Sequence, residues 1–202
     1  GHVNILYDTD GIVRKVNICF QPEAGRLQWR HLAELIYRNG GGASPAYKAL
    51  QSCNQPLLLP YARRDSFTEI SYSDALNGDI PAELVRDKDI LIGVSAAGMG
   101  DIYAAPFGDG SAISGIEIMA NMVSTLRTNS FIRPLEGVGL TLLSLLPMWI
   151  LMLGFLRWRP RTALVASIIA VLLVLAASAA GLAGRIWFAP GIALAGVFLV
   201  YP

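Results

Sequence analysis

Histidine and cysteine are scarce in this sequence: two of each in 202 residues. Four such residues, at His2, Cys19, His31 and Cys53, leave no cluster of Cys, His and acidic side chains with metal-ligand spacing, so neither a metal nor another cofactor is expected. Acidic residues are almost missing from the last third. Residues 135–202 contain Glu136 and no other carboxylate, and their basic residues are Arg157, Arg159, Arg161 and Arg185. The first 134 residues hold 12 of the 16 Lys/Arg and 14 of the 15 Asp/Glu, a near-neutral balance that gives no reason to expect a nucleic-acid partner.

What fills the charge-poor region is long apolar runs. A segment of about 20 apolar residues crosses the hydrocarbon layer. Residues 135–156 qualify, with Pro147 as a tolerated kink, and so do residues 162–184; residues 186–202 form a shorter third run. Between the first two lies Arg157-Trp158-Arg159-Pro160-Arg161. Three arginines in a short loop mark the cytoplasmic side, against a single Arg185 in the opposite loop. Residues 1–134 are then expected outside, periplasmic or extracellular, in a protein of the bacterial inner (cell) membrane. The chain begins without Met in a strand-like run and ends in an apolar one, so both ends read as cuts in a longer polypeptide.

The first 134 residues read as a mixed α/β (α+β) domain. A hairpin is expected over 2–20, turning at Asp8-Thr9-Asp10-Gly11. A calcium loop there fails, because Ile12 occupies a ligand position and no Glu closes it. Helices are expected over 27–38, with Leu27, Leu32, Leu35 and Ile36 inward, over 44–50, and from 73 to about Gly78. Strands are expected over 56–61, 67–72 and, at a sheet centre, 89–94. A helix over 116–128 follows, with Ile116, Met119, Ala120, Val123 and Leu126 inward and Asn129 as C-cap. Cys19 and Cys53 fit either a disulfide or two buried thiols.

The Gly-rich loop after residue 92 tests three catalytic motifs. A phosphate loop fails, since Met99 and Gly100 stand where Lys and Ser/Thr belong. The glycine spacing is not that of a dinucleotide fingerprint. A nucleophile elbow at Ser95 lacks a downstream His. No catalytic residue is expected. Gly93, Ser95, Gly98, Asp101 and Pro106 remain as a candidate ligand-binding loop at a strand's C-terminal edge, with Asp101 either pinning the loop or meeting a ligand.

Taken in order, Asp8-x-Asp10-Gly11-Ile12-Val13-Arg14, Ile70-Ser71-Tyr72-Ser73-Asp74-Ala75-Leu76, Lys88-Asp89-Ile90-Leu91-Ile92-Gly93, Gly98-x-x-Asp101, Ala105-Pro106 and Ser114-Gly115-Ile116-Glu117-Ile118-Met119-Ala120-Asn121 resemble the second type of CHASE domain along residues 3–130. Ala105 replaces a usual Thr, and Met119 a usual His. The resemblance implies an extracytoplasmic sensory domain, three trailing transmembrane helices packed as an all-α bundle, and a cytoplasmic output domain, an adenylate or guanylate cyclase or a histidine kinase. Its partners would be an unidentified small-molecule or environmental signal and membrane lipid, with a homodimer left open. The competing expectation is a scaffold or accessory domain of a transporter or membrane enzyme. That would call for charged residues inside the spans, which instead carry hydroxyls such as Thr141, Ser144, Ser167 and Ser178.

Overall fold

The computed structural model describes residues 2–22, 28–42, 53, 56–64, 66–95, 101–107 and 112–200. The helix expected over 44–50 and Leu27 lie outside them. The chain divides into two compact units, Gly1–Phe131 and Ile132–Pro202. Among the described residues are seven helices and eight short strands, a mixed α/β composition.

In the first unit, strand β1 (Lys15–Val16) pairs antiparallel with β4 (Leu57–Leu58), and β2 (Cys19–Phe20) pairs with β3 (Trp29–Arg30). The turn at 8–11 forms, closed by Gly11 N donating to Asp8 O, but the hairpin it opens contributes only the single Leu6–Lys15 bridge. Its carboxylates are engaged by cations: Asp8 by Lys15 and Arg14, Asp10 by Arg14. These bonds, from Lys15 to Asp8 and from Arg14 to Asp10, hold both carboxyls below the usual Asp range. Val13 N donates to Ala104 O, which joins this segment to β5 (Ile102–Ala104) and its antiparallel partner β6 (Ala112–Ser114). A disulfide links Cys19 to Cys53.

Helix α1 runs Leu32–Asn39, later than expected, because Trp29 and Arg30 are spent on β3. Its N-cap is His31, whose Nδ1 accepts from Ala33 N at 3.2 Å. The buried face is Ala33, Glu34 and Tyr37, while Leu32 is exposed. The apolar stripe read from sequence is therefore rotated. A fully buried Glu34 sits on the inner face because Arg30 reaches it at 2.9 Å and Arg38 at 3.6 Å.

Helices α2 (Tyr72–Asn77) and α3 (Ala82–Val85) bury no residue. Gly78 ends α2 in the left-handed region at φ 79°, as a C′ glycine does. Residues 67–71 form no strand, and Tyr72, expected as the strand's last residue, opens α2 instead.

The central element is α4 (Gly115–Thr128), which matches its expected span. Ser114 caps it, its Oγ accepting from Glu117 N, and Asn129 closes it at φ 49°. Met119, Val123 and Leu126 are buried as expected, and so are Ile118, Asn121, Met122 and Thr125, so α4 is enclosed on more than one side. With Val13, Val16, Ala33 and Leu57 it builds the core.

The expected central strand over 89–94 is not one: no described strand pairs with it. Instead it lies along α4. Asp89 bridges to Arg127 in the last turn, and Gly93 abuts Ile116 in the first. Leu91 packs against the core, while Ile90, Ile92 and Val94 are 61, 75 and 42% exposed. The run alternates as an extended segment does, but only one face is covered. An apolar run shows that a segment suits a sheet centre; it does not supply the neighbouring strands.

In the second unit, α5 (Gly137–Phe155) and α6 (Pro160–Ala183) are apolar helices of 19 and 24 residues, long enough to cross a membrane. Most of their side chains face outward, including Leu142, Leu146, Leu153, Ile169 and Leu173. Pro147 lies inside α5, and Pro160 opens α6. The run expected as one span from 186 is divided: β8 (Ile186–Trp187) pairs in parallel with β7 (Arg133–Pro134), and α7 (Gly191–Val200) begins only after Pro190. Ten helical residues rise about 15 Å, half a hydrocarbon layer. Ser178 Oγ donates to Phe188 O at 2.8 Å, so α6 supports this break.

Candidate functional site

Two of the candidate loop residues converge on the first turn of α4. A Cβ at Gly93 would fall 2.8 Å from Ile116 Cβ and Cδ1, so only glycine allows segment 89–95 to lie this close. On another side, Gly115 N donates to Asp101 O at 3.0 Å. The Asp101 carboxylate lies against Gly115, where a Cβ would come within 2.5 Å of either oxygen. Asp101 thus combines a backbone acceptor and a negative charge at a helix N-terminus, where both are favourable. Burial, followed by the nearby Asp101 carboxylate, raises the Tyr103 phenol above its ordinary range. Ser95 and Pro106 are exposed, and Gly98 lies outside the described residues.

These contacts favour pinning as the role of Asp101. Asp101→Ala is expected to lower the stability of residues 1–131 by about 1 kcal/mol, through loss of the helix-end charge. Thermal unfolding measures it; an unchanged midpoint would return Asp101 to the list of ligand-facing groups.

A second group meets the same helix turn and was not singled out from sequence. Arg64, Phe67, Glu69, Ala112, Ile113 and Glu117 line a cavity of about 140 Å³. Buried Asn121 fixes its walls: its Oδ1 accepts from Ala62 N at 2.7 Å, and its Nδ2 donates to Glu117 O at 2.9 Å. Tyr61 Oη donates to Val13 O at 2.9 Å. Burial, and secondarily the charge of Glu117, pushes the Tyr61 phenol well above its ordinary range. The Arg64 guanidinium stands over the Phe107 ring at 5.2 Å from its centroid. Arg64 and Glu69 lie far from Glu117 in sequence, and no spacing rule joins the three. The one legible signal was Glu117, three residues after the helix cap.

An α/β unit followed in one chain by two apolar helices of spanning length has the build of a membrane protein with an aqueous domain. The chain belongs to the CHASE2 family: the family model described as the CHASE2 domain matches residues 1–177, through α5 and most of α6. CHASE2 is an extracytoplasmic sensory domain of signalling receptors and is not catalytic. No curated protein and no solved structure shows significant similarity to the chain.

Proposed function

We propose that residues 1–134 are the outward-facing, stimulus-receiving part of a receptor that passes its signal to a cytoplasmic output domain, a nucleotide cyclase or a histidine kinase. The observation that carries this reading is the CHASE2 match running directly into apolar helices of spanning length. The Arg157–Arg161 loop supports a cytoplasmic position for the α5–α6 connection, and α7 is then part of a third crossing that returns the chain to the cytoplasm. The first turn of α4, with Gly93 and Asp101 on one side and the cavity on another, is the region where a stimulus is received.

Topology is tested by single-cysteine labelling in intact cells. The native pair is disulfide-bonded and silent towards thiol reagents. Ser73→Cys, on exposed α2, is expected to react with a membrane-impermeant maleimide, and Thr162→Cys, beside the arginine loop, to react only after permeabilisation. The opposite pattern overturns the orientation and the sensory reading with it.

A further inference from the structure

The loop joining α5 to α6 carries three cations and nothing of the opposite sign. Arg157, Arg159 and Arg161 are all exposed, and among the described residues none of them has an ion pair. The second unit is described through residue 200, and residues 201 and 202 bear no charged side chain, so its side-chain charges are counted in full. Its one carboxylate side chain, Glu136, stands at the other end of α5, about 28 Å of helix away. The local fold does not neutralise the cluster either. Arg159 is the N-cap of α6 and Arg161 lies in its first turn, at the end of a helix that disfavours positive charge.

The backbone holds the three arginines in place. Arg157 N and Trp158 N both donate to Gly154 O at 2.9 Å, which closes the end of α5. Arg159 O accepts from Ala163 N at 3.0 Å and from Thr162 Oγ1 at 2.7 Å. The Trp158 indole folds back onto Gly154, leaving no room there for a Cβ, and meets the Phe155 ring edge-on. In the adjoining helix turns Leu153, Leu156 and Leu164 are 61, 78 and 47% exposed. The surface therefore has two chemistries side by side. A free anion would use only the arginines, and an apolar molecule only the leucines. A zwitterionic headgroup would bring an ammonium to three cations, with no carboxylate to receive it. A phospholipid of net negative charge satisfies both parts: its phosphodiester accepts from the guanidinium forks, and its acyl chains cover the leucines and the indole.

We propose that the Arg157–Arg161 loop binds the headgroup of an anionic phospholipid, with the phosphodiester received by Arg157, Arg159 and Arg161 and the acyl chains by Leu153, Leu156 and Trp158. The inference rests on the reading of α5 and α6 as membrane spans and not on the direction in which they cross.

The test uses the full chain in maltoside micelles, titrated with phosphatidylglycerol that carries a fluorophore on one acyl chain, with anisotropy as the readout. Unlabelled phosphatidylglycerol is expected to displace the probe about tenfold or more effectively than phosphatidylcholine. Arg157→Gln, Arg159→Gln and Arg161→Gln are each expected to weaken binding about fivefold, the effect of one basic residue at an anionic lipid surface. Arg133→Gln, near the opposite end of α5, is expected to leave binding unchanged, which separates a site from general charge attraction. The melting temperature of each variant reports folding, and Arg157→Gln and Arg161→Gln decide the matter if Arg159→Gln disturbs the start of α6. Equal displacement by phosphatidylcholine, unchanged binding in the three loop variants, or an equal loss in Arg133→Gln overturns the assignment. Displacement by inorganic phosphate as effective as that by the lipid gives the arginines to a soluble anion and overturns it too. Such a result leaves the labelling pattern as it stands, and an inverted labelling pattern moves the site to the other leaflet without removing it.

Discussion

Reduction of the Cys19–Cys53 disulfide is expected to destabilise residues 1–131 by about 3–4 kcal/mol, which corresponds to a fall in melting temperature on the order of 10 °C. The bond closes a loop with a sequence separation of 34. In the chain-entropy account, a cross-link of that span removes this much freedom from the unfolded ensemble. It anchors the neighbourhood of residue 53 to β2, whose own pairing with β3 is only two residues long. Such short ladders give little independent stability, so the covalent tie carries a large share. Thermal unfolding with and without reductant measures the effect, and Cys19→Ala/Cys53→Ala, insensitive to reductant, is the control. Equal midpoints for oxidised and reduced wild type would assign the bond no stabilising role. A bond of this kind persists in an oxidising compartment, in keeping with the extracytoplasmic place of the family.

Acidification is expected to have a comparable effect through His31. This imidazole is 1% exposed, stacked edge-on with His2 at 4.9 Å between ring centroids. Burial, and secondarily the neighbouring His2, lowers its pKa from 6.5 to about 4. His2 is lowered too, chiefly by burial. Arg30 and Glu34 are charged groups at this helix start, and Arg38 reaches Glu34 from the last turn. Protonation requires His31 Nδ1 to take a proton, and Nδ1 is the atom that accepts from Ala33 N, so the cap of α1 is lost in the same event. The folded pKa lies below the unfolded one, so the unfolded state binds more protons. Stability is complete above pH 6.5 and falls as pH drops from 6.5 towards 4, by up to about 3 kcal/mol in all. His31→Asn keeps a capping acceptor and cannot titrate. Denaturant midpoints at pH 7 and 4.5 are expected to separate widely for wild type and less for the variant; equal separations would remove His31 as the cause.

The legible parts of the fold were those whose signals are local. Helix α4 was placed within one residue, because Ser114 and Asn129 mark its ends chemically. Helices α5 and α6 followed from unbroken apolar length, and their ends lie within two residues of the apolar runs read from the sequence. What failed depended on partners. The run at 89–94 has strand composition and no described strand beside it. The inner face of α1 was misjudged because Glu34, a polar residue by any pattern, is drawn inward by Arg30 and Arg38. The third apolar run was misread as continuous because the pairing of Ile186 and Trp187 with Arg133 and Pro134 joins residues about fifty positions apart. The candidate site divided the same way. Asp101 and Gly93 were found in one loop, whereas Arg64, Glu69 and Glu117 come together only when Asn121 clamps residue 62 to α4.

The β7–β8 pairing has a mechanical consequence. Arg133 N donates to Arg185 O at 2.9 Å and Leu135 N to Trp187 O at 2.8 Å, so the start of α5 and the end of α6 are stapled backbone to backbone. At their other ends the two helices share a connection of four residues, 156–159. They form a closed frame rather than two independent rods. Sliding α5 alone along its axis would break the staple, so a displacement arriving through Ile132 is shared by both helices at once. Motion that preserves the staple is a tilt or rotation of the pair, and Gly137, at φ 65° just inside the frame, is where the backbone turns to begin it.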